Sequence, residues 1–476
     1  MGYNRILIFE ESSDSLMSNE YRLNASSFSP EAAIATNCLS EFAKEGGKLE
    51  KLDALVSSIF YPTRFKRNYT NNGDSFLSSK EIFDLIPKGK RIARISKEYF
   101  IEPGWILLTR SGTVGRVLVS NKLLSKSAIS EHVIRIVPNA DTPIGYLYVF
   151  LSSKIGQALI AKNIFGGVVD EIEPQHLSAL DIPIISNLKE KINEIALTSI
   201  KLREEAQLLF LDAHEKLEKH LGLTSLDQDK IEYLGPNKKS RCFEINSSEL
   251  GSRLDASYYN PIALMAIHTL TNSKLGEIQK LGLIADTFVP KRFKRAYVKE
   301  PIAGIPLLQG SHISQFKPQD VKFNWNKMKN INEYIVKKGW ILVTASGTIG
   351  KVSIVNNYLS DWAATNHILR VLPHVDDIHP GYLTAYLQSD YGWAQFQRLS
   401  YGSVVDEIAE AGELAKNILI LRADNRDVEN EIGEIVLKAY EKVAYANKLE
   451  DDAISLLETS LNLKRYNAAT ISPNQH

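Results

Sequence analysis

One stretch of this chain occurs twice. Residues 104–138 and residues 339–373 align over their whole length without a gap, at an offset of 235 residues. Within the first fourteen positions ten are identical, and the other four pair Leu with Val, Arg with Ala, Val with Ile and Arg with Lys. An ungapped match at about half the chain length indicates internal duplication. We therefore expect a fold that is built from one repeated unit.

Each copy contains two short apolar runs, which the sequence Ser-Gly-Thr-x-Gly separates at residues 111–115 and 346–350. Apolar runs divided by a Gly-rich segment predict two strands joined by a tight connection. The glycines either supply backbone angles that other residues avoid, or they leave backbone N–H groups and Ser/Thr hydroxyls open to a phosphate. Because glycine turns are common, this segment alone favours the first interpretation.

The length and composition predict a soluble chain of several domains. A chain of 476 residues exceeds one hydrophobic core, and its 44% apolar and 24% charged residues are ordinary for a globular protein. No apolar run approaches the roughly 20 residues that span a bilayer, and the start of the chain does not look like a signal peptide. Cys38 and Cys242 give neither a disulfide framework nor zinc-ligand spacing, which fits a reducing cytoplasm.

Positive charge is concentrated in the two matching parts of the chain, although the formal net charge is zero. Residues 51–137 contain 15 Lys and Arg against 7 Asp and Glu, and residues 279–372 contain 14 against 5. The remainder is acidic, with 27 basic residues against 44 acidic ones. Such asymmetry creates a local positive field for a polyanion while the overall charge stays balanced.

A basic cluster with an aromatic residue recurs in both positive parts. It reads Arg-Phe-Lys-Arg at residues 64–67 and again at residues 292–295, and Tyr69 or Tyr297 follows two positions later. A proline precedes each cluster, which predicts a loop or a strand edge. Either the clusters are solvated basic loops, or they bind phosphate by charge while a ring or guanidinium stacks. Their recurrence in two basic segments favours nucleic acid.

The segments that follow the two clusters differ from each other. Residues 70–103 and 298–338 share little sequence. A common frame with divergent insertions suits two readers of different DNA sequences, although ordinary drift in loops produces the same pattern. We expect the clusters to supply affinity and positioning, and the differing residues to read the identity of the bases.

No motif in the chain predicts catalysis. His132 and His367 are equivalent and lie beside strand patterns, so we expect structural, hydrogen-bonded histidines. The adjacent acids at 170–171 and 406–407 would point to opposite faces of a strand, which favours a turn, cap or partner contact over acid–base chemistry. The sequence lacks an Asp/Asn-Pro-Pro-aromatic motif, a Walker-type phosphate loop and a Cys/His metal cluster. We therefore assign no catalytic residue, metal or cofactor, and a nuclease with scattered acids stays an alternative.

A long helix with a heptad pattern is predicted after each unit, and 4-3 spacing of apolar and small residues indicates a two-helix seam. The expected seam positions are Leu188, Ile192, Ile195, Ser199, Leu202, Ala206, Leu209 and Ala213, and then Val428, Ile432, Ile435, Ala439, Lys442, Ala446, Leu449, Ala453 and Leu456. We expect the two seams to pack in antiparallel orientation, with Gly222 ending the first helix. A helix of about 33 residues reaches ~50 Å, more than one turn of duplex DNA.

Each unit opens with a similar pentapeptide, Arg-Leu-Asn-Ala-Ser at residues 22–26 and Arg-Leu-Asp-Ala-Ser at residues 253–257. The opening is followed by the Gly-Trp-Ile-Leu and Ser-Gly-Thr-x-Gly core, a His-x-Ile/Leu-Arg strand and the heptad helix. In this order the chain resembles the specificity subunit of type I restriction-modification systems. The likeness covers nearly the whole chain, and it is the order of the motifs in duplicate that is specific.

The resemblance implies an α+β fold, in which two pseudo-repeated globular α/β target recognition domains are separated by two long antiparallel coiled-coil helices. The expected parts are a first target recognition domain at 1–186, a central spacer helix at 187–222, a linker and second target recognition domain at 223–423, a distal spacer helix at 424–464 and a tail at 465–476.

The resemblance also implies a non-catalytic cytoplasmic subunit that binds a bipartite, asymmetric double-stranded DNA target. Two methyltransferase subunits would dock on the helices and flip an adenine for N6 methylation, and restriction subunits would join for cleavage. The alternatives are a specificity protein of a related phage-defence system and a nuclease with a cryptic acidic site.

Charge and repetition, rather than the resemblance, select the residues that we expect to contact DNA. They are Arg64, Lys66, Arg67, Tyr69, Arg110, Ser111, Thr113, Arg116, Arg292, Lys294, Arg295, Tyr297, Ser346, Thr348 and Lys351.

Overall fold

The fold is taken from a computed structural model. It describes residues 29–166, 169–226, 243–247, 250–251, 253–298, 303–401, 406–408 and 410–462. The pentapeptide that opens the first unit, Cys242 and the predicted tail lie outside the described residues.

Helices and short strands alternate along the described chain. The α-helices are α1 (Pro30–Lys44), α2 (Leu52–Leu55), α3 (Ile144–Ser152), α4 (Lys154–Lys162), α5 (Pro174–Ser178), α6 (Lys189–Leu221), α7 (Pro261–Thr271), α8 (Leu281–Ile284), α9 (Pro380–Gln388), α10 (Asp390–Arg398), α11 (Ala411–Leu414) and α12 (Arg426–Ser460). Short 3₁₀ helices lie at Glu81–Phe83, Lys97–Tyr99, Leu124–Lys126, Ala256–Tyr259, Gly310–His312, Ile331–Tyr334 and Ala415–Asn417.

The strands are β1 (Lys48–Lys51), β2 (Val56–Phe60), β3 (Tyr69–Leu77), β4 (Lys90–Ile92), β5 (Ile106–Thr109), β6 (Val117–Val119), β7 (Ala128–Ile129), β8 (Val133–Pro138), β9 (Asp181–Ile184), β10 (Gly276–Lys280), β11 (Ala285–Phe288), β12 (Tyr297–Val298), β13 (Gly304–Leu308), β14 (Lys322–Trp325), β15 (Ile341–Thr344), β16 (Val352–Ile354), β17 (Ala363–Ala364), β18 (Ile368–Pro373) and β19 (Leu419–Ala423).

Each half of the chain contains a central antiparallel sheet of four strands. The strand order is β2-β8-β5-β6 in the first half and β11-β18-β15-β16 in the second. A second sheet in each half includes one parallel pair, β3 with β7 and β13 with β17. Two-stranded ribbons join β1 to β9 and β10 to β19. The mixed α/β character of the predicted fold is therefore confirmed.

The Ser-Gly-Thr-x-Gly segments form the turns of the β5–β6 and β15–β16 hairpins. Gly112 and Gly115 have φ angles of 80° and 92°, and their counterparts in the second copy have 75° and 81°. These angles lie in the left-handed region that glycine enters without a Cβ clash. Within the first turn, Thr109 Oγ1 donates to the carbonyl of Thr113 at 2.5 Å. The predicted hairpin and the backbone role of its glycines are thus confirmed.

The arginines of the His-x-Ile/Leu-Arg strands are fully buried. Arg135 donates to the carbonyls of Ser130 at 2.9 Å and Ile129 at 2.5 Å, and Arg370 donates to the carbonyl of Ala364 at 2.6 Å. Burial lowers the pKa of Arg135 to about 10 and that of Arg370 to about 9. These guanidiniums tie the short strands β7 and β17 to the central sheets.

The long helices α6 and α12 each bury one stripe, and this stripe corrects the expected seam. The buried positions that follow a 4-3 spacing are Ile192, Ala196, Ser199, Arg203, Ala206, Phe210, Ala213 and Leu217 on α6, and Ile432, Val436, Ala439, Val443, Ala446, Glu450, Ala453 and Leu457 on α12. From Ile192 and Ile432 onward, every second expected position belongs to this set, and each of the others lies one residue before a member of it. Where the sequence analysis placed Leu202 and Leu449, the structure buries the neighbouring Arg203 and Glu450, whose charged atoms lie 2.6 Å apart. Gly222 ends α6 with a φ of 60°, as predicted.

Polar contacts join α6 and α12 along their length. They are Ser199 Oγ to the carbonyl of Ala446 at 2.8 Å, Glu205 to Lys442 at 2.6 Å and Lys216 to Glu431 at 2.5 Å.

The two halves of the chain also touch each other directly, which the sequence did not lead us to expect. Leu85 N donates to the carbonyl of Ser314 at 2.7 Å, and Phe316 N donates to the carbonyl of Phe83 at 3.1 Å. The rings of Phe83 and Phe316 have centroids 6.3 Å apart. The two halves are therefore joined by a direct contact as well as through the long helices.

Within the described residues, no single helix is long and apolar enough to cross a membrane. The pair α3 and α4 meets the length and composition only when joined, and it is bent by 68°.

Candidate nucleic-acid interface

The phenylalanine of each basic cluster packs inward. The ring centroid of Phe65 lies 4.5 Å from that of Tyr99 and 5.8 Å from that of Phe76. In the second cluster the centroids of Phe293 and Tyr334 are 4.0 Å apart. These rings anchor the loops to the domain core, so they do not serve as platforms on which bases could stack.

The residues on either side of each anchor face outward. Arg64 and Lys66 are exposed in the first cluster, as are Arg292 and Lys294 in the second. The Arg292 side chain is 79% exposed, and its guanidinium lies 3.9 Å from the carboxylate of Glu407. An ion pair this long and this exposed is weak. These cations can therefore approach a phosphate without breaking a strong internal contact.

The last arginine of the cluster has a different environment in each half. Arg67 Nη2 donates to both carboxylate oxygens of Glu131 at 2.9 Å. Burial acts to raise the pKa of Glu131, but its backbone hydrogen bond and Arg67 outweigh burial and lower it. The repeat places Asn366 at the position of Glu131. Among the described residues, Arg295 has no carboxylate partner, and its nearest hydrogen bond is to the Tyr297 hydroxyl at 3.5 Å.

A lysine lies against the tyrosine that follows each cluster. Lys90 Nζ is 5.4 Å from the ring centroid of Tyr69, and Lys322 Nζ is 5.3 Å from that of Tyr297. Tyr297 is 47% exposed. An aromatic ring with an adjacent cation is an arrangement that suits a nucleic-acid backbone and its bases.

Two of the expected DNA contacts are instead used inside the first half. The Arg110 guanidinium lies 3.1 Å from Glu171 and 2.8 Å from Glu173. Ser111 Oγ is 2.5 Å from His132 Nδ1. Because these partners already hold the Arg110 guanidinium and the Ser111 hydroxyl, a phosphate would have to displace them. The pairing of Ser111 with His132 is consistent with the structural role that we expected for this histidine.

Arg116 and Lys351, which are equivalent in the repeat, each reach across to the other half. Arg116 contacts the carboxylate of Asp320 through Nε at 3.0 Å and Nη2 at 2.5 Å. Lys351 Nζ lies 3.3 Å from Asp84 Oδ2 and donates to Ser314 Oγ at 2.7 Å. While the halves are in contact, neither cation is free to bind DNA.

The hairpin turns expose their threonines but not their glycine amides. Thr113 and Thr348 are exposed at the turn tips, and Ser346 is half-buried. The amide of the first glycine in each turn donates to a main-chain carbonyl, that of Asp170 at 3.3 Å or that of Asp406 at 2.8 Å. The threonine side chains therefore remain candidates for a polar contact, whereas the glycine N–H groups do not.

A cleft of about 520 Å³ opens beside the second basic cluster. Its lining includes Pro290, Arg292, His367, Tyr401 and Glu407. The Nδ1 atom of His367 is buried and has no hydrogen-bond partner among the described residues, unlike that of the equivalent histidine in the first half. Burial lowers the pKa of His367, and the nearby arginines act in the same direction. The imidazole is therefore neutral near pH 7.

A buried polar network, which the sequence analysis missed, lies where the long helices meet Tyr148 of the first half and Lys317 of the second. Arg203 Nη1 and Tyr148 Oη lie 2.6 Å and 2.5 Å from the same carboxylate oxygen of Glu450. Lys317 Nζ lies 2.6 Å from the other oxygen. The 4-3 spacing could have revealed this pair, because Arg203 and Glu450 lie at that spacing from buried alanines of their own helices. In the part of the chain that the structure describes, no group of three or more His, Cys, Asp and Glu side chains could hold a metal ion.

Residues 269–410 match the family model described as the type I restriction modification DNA specificity domain. The matched region contains the second basic cluster and the second hairpin. The match confirms the predicted resemblance to type I specificity subunits and the predicted role in DNA sequence specificity. No curated protein matches the chain.

Several solved structures are similar to the chain at low identity. The type I restriction-modification S subunit from M. genitalium is 14% identical, with 88% of this chain and 96% of that chain covered and a TM-score of 0.34. The HsdS subunit from Thermoanaerobacter tengcongensis is 13% identical, with 89% and 95% covered and a TM-score of 0.26. A chain from a structure on assembly and conformational transition of the type I R-M system is 13% identical, with 89% and 96% covered and a TM-score of 0.27.

Proposed function

We infer, from the type I DNA specificity domain at residues 269–410, that the chain gives a type I restriction-modification complex its DNA specificity by binding a bipartite, asymmetric duplex target. Each half would bind one part of the target, with target recognition domains at 1–186 and 223–423. The observation that carries the proposal is that both halves present exposed cations in a loop beside a central sheet of the same strand order. Because residues 70–103 and 298–338, which follow the basic clusters, share little sequence, the two parts of the target would differ as well.

We propose that α6 and α12 form an antiparallel coiled-coil spacer between the two reading domains. As the contact positions on α6 advance from Ser199 to Lys216, their partners on α12 run backward from Ala446 to Glu431. The helices contain 33 and 35 residues, which corresponds to roughly 50 Å at 1.5 Å per residue. A spacer of that length suits two sites separated by more than one turn of duplex DNA.

The proposed contacts to the DNA backbone are the exposed members of the predicted set together with the half-buried Tyr69, Arg295 and Ser346. They are Arg64, Lys66, Tyr69, Thr113, Arg292, Lys294, Arg295, Tyr297, Ser346 and Thr348. We leave out Arg67, Arg110, Ser111, Arg116 and Lys351, because internal partners already hold their polar groups. Phosphate contacts of this kind position the protein, and residues that differ between the halves would read the bases.

The proposed partners are two methyltransferase subunits that dock on the long helices, with restriction subunits joining for cleavage in the cytoplasm. Large apolar side chains that α6 and α12 leave exposed support this docking. They are Leu197, Leu208, Leu211 and Tyr445. The chain itself would be non-catalytic and without a cofactor, and adenine N6 methylation would take place in the docked subunits.

Salt titration of duplex DNA binding tests the proposal. The logarithm of the binding constant falls with log salt at a slope of about −0.9 per neutralised phosphate. We expect R64A/K66A to reduce the magnitude of the slope by about 2 and R292A/K294A/R295A by about 3, with weaker binding to every sequence. K201A, on an exposed helix face, should leave the slope unchanged.

Two results would count against the proposal. A loss of binding confined to one DNA sequence would show that the clusters read bases instead of positioning the backbone. Metal-dependent cutting of DNA by the purified chain alone would favour the nuclease alternative.

A further inference from the structure

The direct contact between the two halves has the pattern of a short antiparallel ladder. Asp84 and Gln315 face each other as an antiparallel bridge. The flanking residues supply both hydrogen bonds. Leu85 N donates to the Ser314 carbonyl at 2.7 Å, and Phe316 N donates to the Phe83 carbonyl at 3.1 Å. Asp84 and Gln315 each lie three residues before a proline. Like positions of the two halves therefore meet each other, as at a two-fold axis.

Ion pairs extend this contact on both sides. Arg116 of the first half pairs with Asp320 of the second, and Lys351 of the second half pairs with Asp84 of the first. The two cations are equivalent in the repeat, so the exchange of charges is reciprocal. Asp84 also accepts from Ser314 Oγ at 2.6 Å. With its side chain only 12% exposed, Asp84 is held in a desolvated site by groups of the opposite half.

The segment of the second half that forms this contact also binds the long helices through Phe316 and Lys317. The Phe316 carbonyl accepts from Asn447 Nδ2 at 2.8 Å, and the Arg203 guanidinium lies 4.6 Å from the Phe316 ring centroid. Lys317 Nζ lies 2.6 Å from both Glu450 and Asp451 of α12. The segment that touches the first half thus cannot shift without disturbing the helix pair.

We propose that the contact of residues 81–85 and Arg116 with residues 314–320 and Lys351, here called the latch, sets the separation of the two DNA-reading halves. It thereby determines how many base pairs lie between the two parts of the target. This inference rests on the proposed function. Each half is already joined to a long helix. The latch adds a second attachment, which prevents each half from pivoting about its helix. Because duplex DNA rises about 3.4 Å per base pair, a shift of a few ångströms would admit another spacer length.

A disulfide across the latch tests whether the halves touch in solution. Asp84 and Gln315 form a non-hydrogen-bonded antiparallel pair, for which the Cα atoms are about 4.5 Å apart, close enough for a disulfide. We expect D84C/Q315C in a C38A/C242S background to form this bond within one chain under mild oxidation. D84C alone in the same background is the control. Absence of the intramolecular bond would overturn the latch.

Selection of bound duplexes from a random library then tests the spacer role. It is carried out with the full chain and the methyltransferase subunits of its own system, and the readout is the distribution of spacer lengths. We expect one dominant length for the wild type and for the oxidised D84C/Q315C protein. D84R/D320R, which places like charges across the latch, should select at least two neighbouring lengths.

A charge swap separates the latch from unrelated damage. D320R opposes Arg116 and should broaden the distribution, whereas R116D/D320R restores an ion pair and should narrow it again. A single unchanged length in D320R and in D84R/D320R would overturn the proposal, as would loss of target binding by the oxidised D84C/Q315C protein. If the wild type selects no bipartite sequence, the DNA-specificity function fails and the spacer role fails with it. The disulfide would still report whether the halves touch.

Discussion

Arg203 and Glu450 show how a single buried pair can determine the way two long helices meet. Both side chains are almost fully buried, and their charged atoms lie 2.6 Å apart. Burial acts to raise the pKa of Glu450, but Arg203 and Lys317 outweigh it and hold the pKa well below its usual value of 4.5. The contribution of this carboxylate to stability is therefore present above about pH 4.5 and is lost as the pH falls through the lower folded-state pKa.

We expect R203A and E450A each to reduce the free energy of unfolding by about 3–5 kcal/mol, because E450A leaves Arg203 buried without a carboxylate and R203A leaves the buried Glu450 with Lys317 as its remaining cation. R203M/E450L, which removes both charges and keeps the volume, should be neutral or more stable. Urea unfolding at pH 7 measures both effects. If R203M/E450L were as unstable as the single variants, these residues would stabilise the protein through helix packing and not through the balance of their charges.

Residues whose conformation depends on local geometry could be predicted from the sequence, and residues whose role depends on distant partners could not. The turn glycines have the positive φ angles that their spacing indicated. Arg67 and Arg295 occupy equivalent positions in identical clusters, yet only Arg67 has a carboxylate partner among the described residues. That partner, Glu131, is far along the chain and comes close only in the folded state.

The seam of the long helices was predicted with the right period and a partly wrong register. Apolar periodicity identified positions such as Ala206, but it chose Leu209 where the structure buries Phe210. Both choices continue a 4-3 pattern, so hydrophobicity alone could not distinguish them. The distinction depends on the partner surface, where the Phe210 ring meets that of Tyr440 with centroids 4.9 Å apart.

Alanine substitution at the two adjacent positions tests this register. We expect F210A to cost about 3–5 kcal/mol in the free energy of unfolding, because it removes a fully buried ring and leaves a cavity. L209A removes a half-buried side chain, so its cost should be less than half as large. Chemical denaturation of the two variants decides between the registers. Equal costs, or a larger cost for L209A, would return the seam to the position that periodicity alone suggested.

The whole molecule combines a repeated scaffold with unequal use of its charges. The halves share a central sheet order and a hairpin turn, and this likeness could be predicted from the duplicated stretch. Their contact with each other could not, because residues 81–85 and 314–320 of the latch belong to segments that share little sequence. The halves also differ electrostatically, since Glu131 pairs with Arg67, whereas Arg295, whose equivalent neighbour is Asn366, has no carboxylate partner in the part of the chain that the structure describes. A chain of zero net charge can in this way present a more positive surface at one end of its target.

Exchanging these two residues tests the unequal use of charge. E131N would release Arg67, so we expect tighter DNA binding and a salt slope steeper by about 1, whereas N366E would pair with Arg295 and reduce the slope by about the same amount. The exchange should be tolerated, because each residue already occupies the equivalent position in the other half. E131N/N366E moves the free arginine from one half to the other and should restore the wild-type slope. If neither single variant changed the slope, the last arginine of the cluster would lie outside the DNA interface, and the exposed Arg64, Lys66, Arg292 and Lys294 would account for the electrostatic affinity of the loops.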